Sequence, residues 1–231
     1  ASNLELFLDL VFVFAVTQIA SMISKHPSAG GTAQAFIVAL LVWWQWSQFT
    51  WAGSAADFQK YAHTRVMVLC LIPVTLLMTI AIPHAFHHTG IWFGAAYFCV
   101  QKLLLAMHGG FVIADPLARV GFVSYVSFAI LAPVAVLAGA FLHGDLRTAA
   151  WAVAGALNVI GGLRASAGEW TIDPVHFAEL LAGLFAVLAI EHRRAAGHRH
   201  YAHAGAVGTR RRLGQKGGGF GQRFQILHHG D

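Results

Sequence analysis

One pattern constrains this chain more than any other: long apolar runs follow one another, separated by short polar breaks. A helix rises 1.5 Å per residue, so about 20 residues cover a hydrocarbon core of about 30 Å. Runs near 4–23, 33–53, 65–83, 91–112, 119–142 and 147–165 predict six transmembrane helices. Turn-forming clusters stand between them: His26-Pro27-Ser28, Gly53-Ser54, Pro83-His84, Asp115-Pro116 and His143-Gly144-Asp145. A seventh run, 175–190, covers only 16 residues before Glu191-His192-Arg193-Arg194. The expected fold is all-α: a polytopic transmembrane helix bundle with six clear spans plus a short seventh.

Composition agrees. Of 231 residues, 57% are hydrophobic and 11% charged, too little charge for a soluble domain of this length. The net charge of +5 belongs to one end of the chain. Residues 1–190 hold seven Lys/Arg and eight Asp/Glu, whereas 191–231 hold eight of the fifteen Lys/Arg and six of the fourteen His. This divides the chain into a membrane domain, 1–190, and a basic Gly/Arg/His-rich tail, 191–231, expected to be disordered. The N-terminus lacks the pattern of a signal peptide. Lys60, Arg65, Arg119 and Arg164 on one side outnumber Lys25 and Arg147 on the other, which predicts a cytoplasmic N-terminus in a cell inner membrane.

Several residues invite a bland explanation first. Cys70 and Cys99, each inside an apolar run, are expected to be small buried side chains. Trp43, Trp44, Trp46 and Trp51 crowd one end of the second run, where an interfacial aromatic belt is expected. Pro73 and Pro133 fall inside the third and fifth runs as tolerated kinks. His84, His87 and His88 have the spacing of a shared helical face, but no carboxylate or Cys adjoins them. Solvated interfacial histidines are expected there, with no metal. Lys102 is the one lysine inside a predicted helix and a poor Schiff-base candidate. No catalytic triad, phosphate loop or zinc-protease motif occurs, so neither an enzyme nor a cofactor is expected.

The first run carries the sharper signal. In ELFLDLVFVFAV, Glu5 and Asp9 share one helical face. Ser2 and Glu5 have the spacing of a capping box, which explains Glu5 as a helix-start acid. Asp9 lies about 9 Å further along the axis, among Leu, Phe and Val. A carboxylate at that depth faces either a pathway or a polar partner on another helix.

The stretches ELFLDLVFVFAVTQIA, LVWWQWSQFTW, RVMVL, IAIPHAF and DPVHFAEL…GLFAVLAI together resemble the bacterial low temperature requirement A (LtrA) family. The similarity covers residues 4 to about 190. It implies a multi-spanning membrane protein and, since the family is named for growth in the cold, no particular reaction. By this resemblance Glu5 and Asp9 match acids of the family's first motif, and His176 and Glu179 match its second. Leu180 stands where the family has Arg, one residue is inserted before Gly183, and a closing Gly-Glu-Ser is missing. If Ile190–Arg194 is encoded ATC GAG CAT CGT CGT, reading one base later gives Ser-Ser-Ile-Val-Val, close to the family's continuation. The tail is therefore expected to be an out-of-frame extension of a truncated copy. The alternative is a genuine basic tail that binds anionic lipid or nucleic acid.

ELFLDLVFVFAV and the later ELLAGLFAVLAI also match at Glu5/Glu179, Leu6/Leu180, Leu10/Leu184, Val13/Val187 and Ala15/Ala189. Such an echo fits a parallel repeat beginning again after six helices. The expected function is transporter- or channel-like, with Asp9, Glu5, His176 and Glu179 as polar elements. The expected partners are the bilayer and a small solute or ion, not nucleic acid. The alternative is a non-transporting sensor or stress protein whose acids only join helices.

Overall fold

The computed structural model describes residues 3–25, 27–55, 62–112, 116–166 and Arg193. The predicted seventh run, His176, Glu179 and nearly all of the tail lie outside these residues. Among the described residues there are six α-helices and no strand: α1 Asn3–Lys25, α2 Ala29–Ala55, α3 Ala62–Ala81, α4 Gly90–Val112, α5 Pro116–Ala140 and α6 Gly144–Ser166. A short 3₁₀ turn, Ile82–His84, links α3 to α4. Helices α3 and α5 continue through Pro73 and Pro133.

The predicted starts of α2 and α6 fall late because capping extends both helices. Ser28 caps α2, its Oγ accepting the Gly31 N–H at 3.1 Å. Gly144, at φ +57°, makes the reversal that lets α6 begin there.

The helices close a circuit in the order α1, α3, α4, α5, α6, α2, with α2 also reaching across to α4. Large apolar side chains face outward, among them Leu10, Val13, Leu77, Ile80, Trp92 and Leu163. Gln45, Gln48, Gln101, Asn158 and Arg147 point inward. That inversion of the soluble pattern is what a hydrocarbon surround selects. Four helices contain segments long and apolar enough to cross a membrane: Phe7–Lys25, Ala62–His84, Gly90–Gly109 and Gly144–Arg164. In α5 the apolar stretch Tyr125–Ala140 is shorter. α2 is long but carries amides and hydroxyls through its middle, because its neighbours, not lipid, cover that stretch.

Two expectations are corrected. Cys70 and Cys99 are exposed on the outer surface, since a thiol meets lipid as comfortably as protein. Two of the four tryptophans expected in an interfacial belt lie inside the bundle instead, and Trp46 and Trp51 are half-buried. Trp43 and Trp44 are buried, and Trp44 stands edge-on to Trp51 with ring centroids 5.9 Å apart. Because α2 runs through the interior, its aromatics pack the bundle.

One face is tied by Arg147. Its guanidinium donates to Leu142 O (2.9 Å), Ala85 O (2.9 Å), His87 O (2.6 Å) and Ala140 O (3.1 Å), and stacks over Trp151. These carbonyls end α5 and line the α3–α4 turn, so one planar cation satisfies helix ends that would otherwise be orphaned. Gly90 sits beneath it: a Cβ there would strike the Ala85 carbonyl and the Arg147 guanidinium. Arg147→Met is expected to destabilise the bundle by on the order of 3 kcal/mol, and Gly90→Ala to act in the same direction. Thermal unfolding in detergent measures both; unchanged midpoints would show that the knot is dispensable.

Candidate functional site

Besides the Arg147 knot, two clusters among the described residues bring polar side chains of different helices together in the bundle. The first surrounds Asp9. Its carboxylate is half-buried and accepts a hydrogen bond from the Trp46 indole N–H at 3.2 Å, joining α1 to α2. Both line a groove of about 250 Å³ whose other walls are Phe12, Val13, Val16, Ile19, Ala39, Val42 and Trp43. The groove is apolar apart from that carboxylate and the indoles, so it suits a lipid chain or an apolar side chain better than a solute path. Glu5 lies in the first turns of α1, but its side chain is outside those described.

The second place is the middle of the bundle. Gln101 falls halfway along the 23-residue α4. Its Nε2 donates to Gln48 Oε1 at 2.9 Å and lies 3.5 Å from the Tyr125 hydroxyl. Gln48 Nε2 donates to the same hydroxyl at 2.5 Å. Thus α2, α4 and α5 meet at one closed triangle of side chains. A turn earlier on both α2 and α4, Gln45 Nε2 donates to the Tyr97 carbonyl at 3.0 Å. From α6, Asn158 Nδ2 reaches the Tyr97 hydroxyl at 2.9 Å. Further along α4, His108 Nδ1 lies 2.8 Å from Leu104 O. All six residues of the triangle and the turn before it are buried, and Gln45, Tyr97 and Gln101 have no exposed surface at all.

The helices come this close because small residues let them. A Cβ on Gly162 would strike the Trp44 ring, and one on Gly161 would lie 2.6 Å from Phe128 Cβ. Trp44 in turn packs 6.3 Å from the Tyr125 ring, so the inner tryptophans wall the cluster.

Amide nitrogens throughout the cluster are matched, whereas Gln45 Oε1, Gln101 Oε1 and Asn158 Oδ1 are buried with no hydrogen-bond partner. A buried acceptor left open costs about 1–3 kcal/mol. The chemistry on offer is therefore that of a neutral site with unused acceptors and no charged group among its side chains.

Sequence reasoning fixed on acids and passed over these amides. A usable signal was present: Gln45 and Gln48 are three apart, and Tyr97, Gln101 and His108 recur on one face of α4. His84, His87 and His88 are exposed at the α3–α4 turn. Among the described residues, no group of three His, Cys, Asp or Glu is placed to hold a metal. Lys102 is half-buried, its ammonium 5.1 Å from the Phe98 ring centroid.

The Asp9–Trp46 bond can be isolated by a double-mutant cycle with Asp9→Leu and Trp46→Phe. A coupling of about 1 kcal/mol is expected in unfolding free energy, with Asp9→Asn near wild type because it keeps an acceptor. Additive effects would show the contact to be energetically idle.

Residues 1–190 match the family model described as bacterial low temperature requirement A protein (LtrA). An uncharacterized protein of Rhizobium meliloti (strain 1021) is 31% identical over 201 residues, covering 82% of this chain and 48% of that relative. The chain thus spans about half the length of the curated relative it matches. No solved structure matches it. A helical bundle with outward apolar faces and a family match over 1–190 together establish that the chain belongs to the bacterial low temperature requirement A family.

Proposed function

We propose that this membrane protein is transporter- or channel-like and moves a small solute or ion through the interior of the bundle. The observation that carries this reading is the amide–phenol cluster halfway along the spans, because polar groups are costly at that depth and transporters place their sites near the midplane. In this reading six helices cross a cell inner membrane from a cytoplasmic N-terminus, and the run at 175–190 begins a seventh span. Asp9, Glu5, His176 and Glu179 enter this reading as polar elements of the pathway or of the joints between its helices, although the groove beside Asp9 is itself apolar. The bundle's role is passage, with no catalysis, no cofactor and no nucleic-acid partner.

One contact favours the alternative of a non-transporting sensor or stress protein. Asp9 already has a partner in Trp46, as an acid that only joins helices would. Flux into proteoliposomes across a panel of ions and small neutral solutes separates the two. Transport by the wild type, reduced at least tenfold in Gln101→Leu, supports passage through the interior. Asp9→Asn is expected to keep most of that flux, since Asn retains the acceptor for Trp46. No flux of any panel member in a stably folded wild type favours the sensor reading.

A further inference from the structure

A groove of about 610 Å³ lies between α3 and α4, larger than the one beside Asp9 and within the roughly 300–1,000 Å³ range of ligand pockets. It exists because the two facing stripes are unequal. From α3 come Val74, Leu77 and Ile80, branched side chains spaced along one helical face. Opposite them α4 sets the small side chains Ala95, Ala96 and Cys99, which leave the space between the helices unfilled. Leu77, Ile80, Trp92 and Cys99 are exposed, so the groove opens sideways toward lipid. From Trp92 to Cys99 its apolar wall runs about 10 Å, at 1.5 Å per residue.

One end of the groove is polar. His84 and Thr89, both exposed, line it where α3 turns into α4. Trp92 stands there too, in the first turn of α4, with its indole between the apolar wall and the polar end. Further imidazoles adjoin: His87 lies 6.4 Å from His84 between ring centroids, and His88 lies 6.0 Å from His143. The charge at this end is positive. α1 packs against the 3₁₀ turn and ends at Lys25, while α6 brings the Arg147 guanidinium to the same turn. Asp145, in the first turn of α6, is the one carboxylate among the described residues at this end. A matching occupant has an apolar chain to lie along the helices and a negatively charged head that accepts hydrogen bonds from imidazole and hydroxyl. A phospholipid phosphate with its acyl chain meets both requirements.

We propose that the α3–α4 groove is a binding site for an anionic phospholipid. His84 and Thr89 hold its phosphate, and one acyl chain lies between the two stripes toward Cys99. The lipid is a partner of the fold, not a solute for its interior, so the assignment stands apart from the transport reading. The turn that grips the headgroup also offers its His87 carbonyl to Arg147 at 2.6 Å. Bound lipid therefore braces the same connection that Arg147 ties.

Trp92 provides the reporter, because it lines the groove and bromine on an acyl chain quenches indoles only at close range. The full chain in mild detergent is titrated with chain-brominated phosphatidylglycerol and, separately, with chain-brominated phosphatidylcholine. Saturable quenching by phosphatidylglycerol is expected, at a midpoint at least fivefold lower than for phosphatidylcholine, and this component should vanish in Trp92→Phe. His84→Ala combined with Thr89→Ala should raise the phosphatidylglycerol midpoint at least fivefold. Ala95→Phe, which fills the groove, serves the same comparison if that pair does not give a monodisperse protein. Inorganic phosphate and glycerol 3-phosphate, which lack the chain, should leave the midpoint unchanged; displacement of the lipid by either would make the ligand a soluble phosphate. Equal midpoints for the two lipids, an unchanged midpoint in a folded variant, or quenching that survives Trp92→Phe overturns the assignment. A disulfide between the Cys99 thiols of two copies, in place of quenching, would give the groove to a second copy of the chain.

Discussion

Hydrocarbon offers no hydrogen bonds, so every polar group carried into this bundle must find its partner within the protein. Arg147 answers that demand on one face with four hydrogen bonds. A charged guanidinium is costly to bury, yet here it donates to four carbonyls from two separate turns and rests on an aromatic ring. The α3–α4 and α5–α6 connections are thereby held as one unit, and the helices that follow inherit their registration. Gly90, with no side chain, and Gly144, in a left-handed turn, are what the surrounding backbone needs to bring those carbonyls together.

Deeper in the bundle the same accounting is left incomplete. Amides donate to phenols, to a backbone carbonyl and to one another, but three carbonyl oxygens remain open. A bundle selected only for stability would bury leucine there, since an apolar residue of similar shape removes the penalty at no cost in packing. Arg147 shows that this chain can satisfy a demanding buried group when structure is the purpose.

The sequence made the helices legible because spanning length and apolar runs are properties of contiguous segments. The six helices among the described residues fall on those runs, four of them with segments long and apolar enough to span, and starts shift where Ser28 and Gly144 extend α2 and α6. Which face of each helix looks inward was less legible, since that depends on neighbours distant in sequence. The sequence pattern points the tryptophans of α2 to a lipid interface and the cysteines to an interior, whereas Trp43 and Trp44 are buried in the bundle and both cysteines are exposed. Asp9 stood out because charge in an apolar run is conspicuous. Gln45, Gln48, Gln101 and Asn158 did not, because single neutral amides in separate helices become a cluster only when the helices are packed.

The composition of α2 follows from this arrangement. Its central segment carries Trp43, Trp44, Gln45, Trp46, Ser47 and Gln48, and would be a poor partner for lipid on its own. Within the circuit it contacts α1, α4 and α6, so those polar groups exchange lipid for protein donors and acceptors. Gln34 adds a further tie, its Nε2 lying 3.4 Å from Thr148 Oγ1 on α6. The helix that looks least like a span is thus the one most enclosed, and its departure from the apolar pattern has the same cause as the polar centre it helps to build. A helix of this kind gains most of its stability in the membrane from packing, because isolation would expose its amides to lipid. Substitutions that loosen the α2–α6 contact at Gly162 should therefore disturb the polar cluster and the bundle together, since Trp44 supports both.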